Sequence, residues 1–490
     1  MSLTKRVAYN TFFQIFGRVI TTVISLVIVA YLTRYLGVTG YGIYTTVFTY
    51  VSFWAIIADF GFFWILVREI AKNKDNAENI FCNVFTFKLF FSLLVFIICA
   101  LVGFLIPQYS WSVKIGISII SVGWFWMSLN STYVATFQSQ LEMYKAVITD
   151  IVGRVVLLLG VLYAIGHNYS LEIIFVAYII GNFVNFVLSF IIGQREFKFK
   201  PRFDIKLWKV IFHESLPLFL LSIIGMIHFK IDTIILSLYK GMTDVGIYGV
   251  PYKVLEIIIL IPSIFMGNVF PIMTKYYHEK DARLNSAIQR SFNFLAIMGV
   301  PIVIGLGVLS WQIVNLVAGK EFLYASTVSA WGINFAAPQI LIILSASIGI
   351  TFFLSVFPTL FTIIGKQDKQ VWPMIVITAT NVIANIIFIP RYSYVGAAVV
   401  NFCTQTMMLI WWAVLSRKYL DYKLNLGIIP KVFFAGAVMG TAIYFIKNSN
   451  IFMVIAIGAA IYGAIIFALK AVTKEDLKTI IPSRGIKNAS

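Results

Sequence analysis

Apolar residues fill this chain in long blocks, and polar residues interrupt them in short clusters. Eight runs contain no Asp, Glu, Lys or Arg: 35–58, 89–113, 115–141, 173–194, 291–319, 322–365, 392–416 and 448–469. Each is long enough to cross a bilayer as a helix, which takes about 20 apolar residues. Marking the blocks by their polar borders predicts fourteen spans, at 10–32, 42–66, 80–106, 112–137, 146–165, 171–193, 210–238, 248–273, 287–310, 327–356, 371–390, 394–415, 430–446 and 451–470. The first block is longer than the apolar part of a signal peptide and has no evident cleavage site, so it is expected to stay.

Charge then orients the spans. Only 12% of residues are charged and 60% are hydrophobic, against about 25% charged in a soluble domain. With the N-terminus inside, 27 of the 38 Lys and Arg residues fall on inside connections or their helix edges and 6 fall outside. The remaining five lie within spans. Such a bias follows the positive-inside rule and predicts a multi-pass protein of the cell (inner) membrane with both termini cytoplasmic. The net charge of +18 then reflects topology and attraction to anionic lipid heads, and nucleic acid is not an expected partner. Cys82, Cys99 and Cys403 have no paired spacing and read as small apolar residues, so neither a metal nor a cofactor is expected. The nearest approach to a nucleotide loop, TIIGKQD (362–368), has Gln after the Lys. A transporter driven by an ion gradient, the membrane potential or the substrate's own gradient is expected, not an enzyme.

The stretch Leu32–Tyr44, LTRYLGVTGYGIY, returns 204 residues later as LSLYKGMTDVGIY at Leu236–Tyr248, with seven identities in thirteen ungapped positions. Each copy follows an odd-numbered span, the first and the seventh, so two halves enter the membrane in the same direction. That is a parallel repeat about an axis along the membrane normal. The expected fold class is an all-α integral membrane protein of about fourteen helices: two six-helix lobes and two extra C-terminal helices. The boundaries are 1–193 for the N-terminal lobe, 194–209 for a basic cytoplasmic linker (QREFKFKPRFDIKLWK), 210–415 for the C-terminal lobe and 416–490 for the last helices and tail.

RYLGVTGYGIY (34–44), ADFGF (58–62) with VREIAK (67–72), KIDTIILSLYKGMTDVGIYGVPYK (230–253) and PRYSYVGAA (390–398) resemble the polysaccharide transporter family. These are flippases for lipid-linked O-antigen and related glycans, within the superfamily of multidrug, oligosaccharidyl-lipid and polysaccharide exporters. The resemblance covers most of the chain. It implies translocation of isoprenoid-diphosphate-linked oligosaccharide from the cytoplasmic to the outer leaflet by alternating access of two lobes. It also implies membrane lipid and glycan-assembly machinery as partners.

Such a substrate is anionic at its diphosphate and polar in its glycan, so buried cations and a polar cavity are needed, and charges within spans are the first candidates. Arg18, Lys88 and Arg154 each lie eight residues into a span that starts from the cytoplasm. This defines a layer about 12 Å deep, and Arg grips phosphate oxygens bidentately. Lys88 reads equally as a snorkelling cation, and Arg154 as the partner of Asp150 one turn away. Arg18 has no local carboxylate and stands on a polar stripe with Asn10, Gln14, Thr21 and Ser25. Further stripes, Tyr178, Asn182, Asn185 and Ser189, then Asn381 and Asn385, then Asn401 and Gln405, are candidate cavity walls. Their amides suit sugar hydroxyls and equally suit hydrogen bonds between helices. Asp59, level with Arg18, is a candidate counter-charge or gate. His228, Asp232, Lys253 and Glu256 are candidates for Na+ or H+ coupling or for gating, with helix-pairing ion pairs as the plainer reading. Pro262, Pro301 and Pro338 are candidate kinks.

Three other functions compete. A cation-coupled multidrug or organic-cation exporter of the same superfamily would favour an acidic or neutral aromatic cavity. A membrane-embedded glycan polymerase or glycosyltransferase would need larger outer loops, whose acids here are about three, Glu172, Asp244 and Glu321. A twelve-helix sugar carrier of the major facilitator type is disfavoured by fourteen spans and by the loop VREIAKNKDNAEN.

Overall fold

The computed structural model describes residues 3–330, 333–422 and 424–471. Twelve of its helical segments are long and apolar enough to cross a membrane, as the sequence requires of a multi-pass membrane protein. Two of the twelve are far too long for one straight crossing: Tyr9–Lys72 has 64 residues and Asp368–Tyr419 has 52. At 1.5 Å per residue they would reach about 95 and 80 Å against a hydrocarbon core of about 30 Å. Both bend. Helix α1 (Leu3–Asp59) turns at Gly37, with φ 65° and ψ −173°, backbone angles that only glycine adopts freely. The later element, Asp368–Tyr419, turns at Ser393, with φ 49° and ψ −136°.

The expected connections at 33–41 and 391–393 are thus one-residue bends within continuous helix. The expected span 42–66 is cut at Phe60 and Gly61, both at positive φ, and resumes as α2 (Phe62–Lys72). The following helices are α3 (Ala77–Leu105), α4 (Trp111–Ser139), α5 (Met143–Gly166), α6 (Leu171–Gly193) and α7 (Ile205–Tyr239). The expected span 248–273 divides into α8 (Met242–Ile258) and α9 (Leu260–His278). Next come α10 (Arg283–Val308), α11 (Ser310–Ala318) and the single turn α12 (Glu321–Tyr324). The expected span 327–356 is shorter than foreseen: a two-stranded ribbon (Val328–Ala330, Ile333–Phe335) precedes α13 (Ala337–Leu354). Pro338 therefore opens a helix instead of kinking one, since a missing N–H costs nothing in the first turn. The Gln339 side chain accepts the Ala336 N–H at 3.0 Å. The chain ends with α14 (Val356–Ile363), α15 (Asp368–Tyr419), α16 (Ile428–Ile446) and α17 (Ile451–Ala468).

The chain forms two compact units. One contains residues up to 249 together with 317–328 and 382–397; the other contains 250–316, 329–381 and the chain from 398. The division falls inside α8, and residues 194–209 belong wholly to the first unit. The middle of this segment, 197–204, is strapped onto α3 in extended form. The Phe197 and Phe199 rings meet Phe81 and Phe85 at 5.6 and 4.5 Å, and the Arg202 and Asp204 N–H groups donate to Thr86 Oγ1 and Asn83 Oδ1. Side chains alternate along extended backbone, which leaves Lys198, Lys200 and Arg202 exposed on the other side. Asp204 then caps α7, its Oδ1 accepting the Lys206 and Leu207 N–H groups at 3.0 and 3.1 Å.

Within the first unit the two repeat copies lie against each other with reciprocal contacts. Thr39 Oγ1 and Thr243 Oγ1, equivalent under the 204-residue offset, hydrogen-bond at 2.8 Å. A Cβ on Gly42 would overlap the Met242 carbonyl oxygen, and one on Gly246 would overlap that of Val38. Helices α5 and α6 approach in the same close manner: a Cβ on Gly153 would stand 2.7 Å from the Gly181 carbonyl oxygen, and one on Gly181 2.8 Å from that of Gly153. Small residues let membrane helices come this near. In the second unit, Phe292, Ala296 and Val300 of α10 share a core with Val432, Ala435 and Met439 of α16 and with Val454 and Tyr462 of α17.

Candidate functional site

A cavity of about 440 Å³ opens among α1, α4, α5 and α6, all in the first unit. Gln14, Arg18 and Thr21 line it from α1, Met127, Asn130 and Ser131 from α4, Asp150 and Arg154 from α5, and Tyr178, Asn182 and Asn185 from α6. The polar stripe on α1 faces this space because its three- and four-residue spacings keep one side of the helix. Gly17 and Val147 meet in its wall, with no room for a Cβ on Gly17. At the foot of α5, the Met143 N–H donates to Asn10 Oδ1 at 2.7 Å.

The cations differ in their partners. Arg154 is half-buried, with Nε 3.4 Å from a carboxylate oxygen of Asp150 and Nη1 donating to Ser25 Oγ at 2.9 Å. Arg18 is exposed along the cavity wall, and its guanidinium has no hydrogen-bond or ion-pair partner among the described residues. Lys88 does not line the cavity. Its side chain is 1% exposed, and its ammonium donates to Asp59 Oδ1 and to Ser131 Oγ, both at 2.5 Å. Burying an ammonium in an apolar bundle demands a counter-ion, and Asp59 supplies it. Neither residue lines the cavity. The expectation that Lys88 joins a phosphate site with the two arginines, and that Asp59 balances Arg18, is corrected on both counts.

Of the expected amides, Gln14, Asn182 and Asn185 line the cavity and four do not. Asn381, Asn401 and Gln405 are buried in the second unit, where Asn381 donates to Thr404 Oγ1 at 3.1 Å. Asn385 is buried in the first. Asn130 and Ser131 were missed; the signal was the polar cluster Ser128, Asn130, Ser131 and Thr132 inside the apolar run 115–141.

Other acids and bases form three separate groups. Asp232 is buried, accepting the Tyr248 hydroxyl at 2.5 Å on one oxygen and the Thr233 N–H at 2.6 Å on the other. His228, one turn earlier, is also buried, and its Nδ1 has no partner among the described residues. Lys253 and Glu256, in the second unit, pair at 2.9 Å. In the first turn of α5, Lys145 bridges Glu142 and Glu196, the latter just past α6; burial pushes the Glu196 carboxyl above its usual range, against the pull of that ammonium.

Residues 7–277 match the family model described as polysaccharide biosynthesis protein. The probable flippase AglR of Haloferax volcanii (strain DS2) is 20% identical over 259 residues, covering 51% of this chain and 52% of the relative. The succinoglycan biosynthesis transport protein ExoT of Rhizobium meliloti is 22% identical over 331 residues, covering 66% and 64%. The chain thus spans between half and two thirds of these curated relatives. The solved lipid II flippase MurJ, in an inward closed conformation, superposes with a TM-score of 0.74 at 16% identity, covering 94% of this chain and 98% of that one; this likeness is one of fold. Because the family model spans more than half of the sequence, this chain belongs to the polysaccharide biosynthesis protein family.

Proposed function

We propose that this chain is a flippase for isoprenoid-diphosphate-linked oligosaccharide, carrying it from the cytoplasmic to the outer leaflet of the cell membrane by alternating access. The observation that carries this reading is Arg18: a cation without a partner among the described residues, on the wall of a polar cavity in an apolar helical bundle. An exposed guanidinium on such a wall is open to an anion, and a phosphate satisfies it with two parallel hydrogen bonds. Arg154, tethered to Ser25, supports the same anion from the neighbouring helix. The relatives named flippase and transport protein, and the fold shared with a lipid II flippase, favour the same class. Fourteen crossings, counting each bent element twice, two lobes at 1–193 and 210–415, and cytoplasmic termini complete the reading. The reciprocal repeat contacts support the lobes. Coupling to H+ or Na+ is assigned to Asp232, with His228 beside it and the Lys253–Glu256 pair as a gate.

Reconstituted vesicles holding the purified protein and a fluorescent isoprenoid-diphosphate sugar provide the test. Arg18→Ala should slow flipping by about tenfold to a hundredfold, the worth of a charge-assisted hydrogen bond or two, while the protein stays folded. Asp232→Asn should lose any acceleration by an imposed proton or sodium gradient. Wild-type rates in Arg18→Ala would remove the phosphate anchor, and a retained gradient response in Asp232→Asn would remove that carboxylate from coupling.

A further inference from the structure

The cavity among α1, α4, α5 and α6 is unevenly charged. Among the described residues lining it, the ionised groups are Arg18, Arg154 and Asp150. Asp150 neutralises Arg154 one helical turn away, at 3.4 Å, which leaves Arg18 as the uncompensated charge. The other polar side chains are neutral: Gln14, Thr21, Asn130, Ser131, Tyr178, Asn182 and Asn185. Asn130 and Asn185 are buried, and their Oδ1 atoms have no hydrogen-bond partner among the described residues. Buried polar atoms rarely stay unpaired without a purpose, and an amide can both accept from and donate to a hydroxyl. Tyr178 adds an aromatic face, its hydroxyl 3.9 Å from the Met127 sulfur. At about 440 Å³ the cavity falls in the range of small-molecule sites.

We infer that this cavity is a subsite for the sugar next to the phosphate, that it takes an uncharged sugar bearing hydroxyl or amide groups, and that Asp150 excludes an acidic one. The inference rests on the reading of Arg18 as phosphate anchor. The diphosphate, ionised once on each phosphorus, already brings two negative charges against the one uncompensated cation, Arg18. A uronate carboxylate would add a third and would meet Asp150, whose single nearby cation is already shared. Like charges brought together in this half-open cavity repel, although water reaches Asp150, whose side chain is 39% exposed. A neutral sugar has no such conflict, and its hydroxyls suit the accessible lining amides Gln14 and Asn182.

The test uses the full chain in vesicles with two probes of equal lipid length, isoprenyl diphosphate carrying one N-acetylglucosamine or one glucuronic acid. The wild type is expected to flip the neutral probe at least tenfold faster than the acidic one. Asp150→Asn should narrow that ratio to about threefold or less, chiefly by gain on the acidic probe. Binding of both probes to the detergent-solubilised wild type, which needs no variant, should show the same preference. Equal wild-type handling of the two probes, or an unchanged ratio in Asp150→Asn, overturns the subsite; if Arg18→Ala still slows transport of both, the anchor stands alone. If Arg18→Ala flips both at wild-type rates, or neither probe binds, the anchor reading and the subsite fall together.

Discussion

Spacing alone treats Arg18 and Lys88 alike, yet one stands open in a cavity and the other is locked in an ion pair. The difference lies in partners that are remote in sequence. A helix reveals its own neighbours at three and four residues, and on that basis Arg154 with Asp150 was readable. Lys88 meets Asp59 from 29 residues away on another helix, and no pattern along one helix shows that. The pair makes a firm prediction at this scale. Lys88→Met should destabilise the protein by about 2–4 kcal/mol, slightly under the usual cost of orphaning a buried charge, because the Asp59 side chain remains 34% exposed. Adding Asp59→Leu to Lys88→Met should recover most of the loss, since the isolated carboxylate is then gone. Thermal unfolding in detergent measures both. A double variant no more stable than the single would show that Lys88 matters for something other than this pair.

At the scale of elements, the apolar blocks located most helices closely; 171–193 is reproduced to the residue as α6. The misses share a cause. Hydrophobicity marks where a chain can cross a membrane and is silent on how two crossings join, so bends at Gly37 and Ser393 read as loops and the ribbon before α13 read as span. The repeat was legible, but that its copies touch was not. That contact carries its own prediction. Gly42→Ala and Gly246→Ala each force apart the same two helices, because each new Cβ meets a backbone oxygen of the other copy. Each should cost about 1–3 kcal/mol, as overpacking does. Together they should cost clearly less than the sum, since one separation of the helices relieves both clashes. A double-mutant cycle on thermal unfolding decides it, and strict additivity would mean that the two sites do not belong to one interface.

For the whole molecule, the decisive quantity is the parity of crossings. If the bent elements α1 and α15 each cross twice, the connections at 73–76 and 194–209 lie on the same side as the N-terminus. If each crosses once, the termini still agree, but every connection between the two bends is inverted. The basic strap 194–209, with six of the 38 Lys and Arg residues, would then face outward, against the charge bias that orients membrane proteins. The length of α1 argues the same way, because 57 residues as one crossing would run about 85 Å, nearly three times the hydrocarbon thickness. Single cysteines placed at Asn73, Lys200 and Asn168 in a chain whose own Cys82, Cys99 and Cys403 are replaced by Ala separate the two cases. A membrane-impermeant maleimide added to intact cells should label Asn168→Cys and should spare Asn73→Cys and Lys200→Cys until the membrane is opened. The reverse pattern would make each bent element a single crossing. It would also place Arg18 and its cavity at the wrong depth to meet a phosphate arriving from the cytoplasmic leaflet.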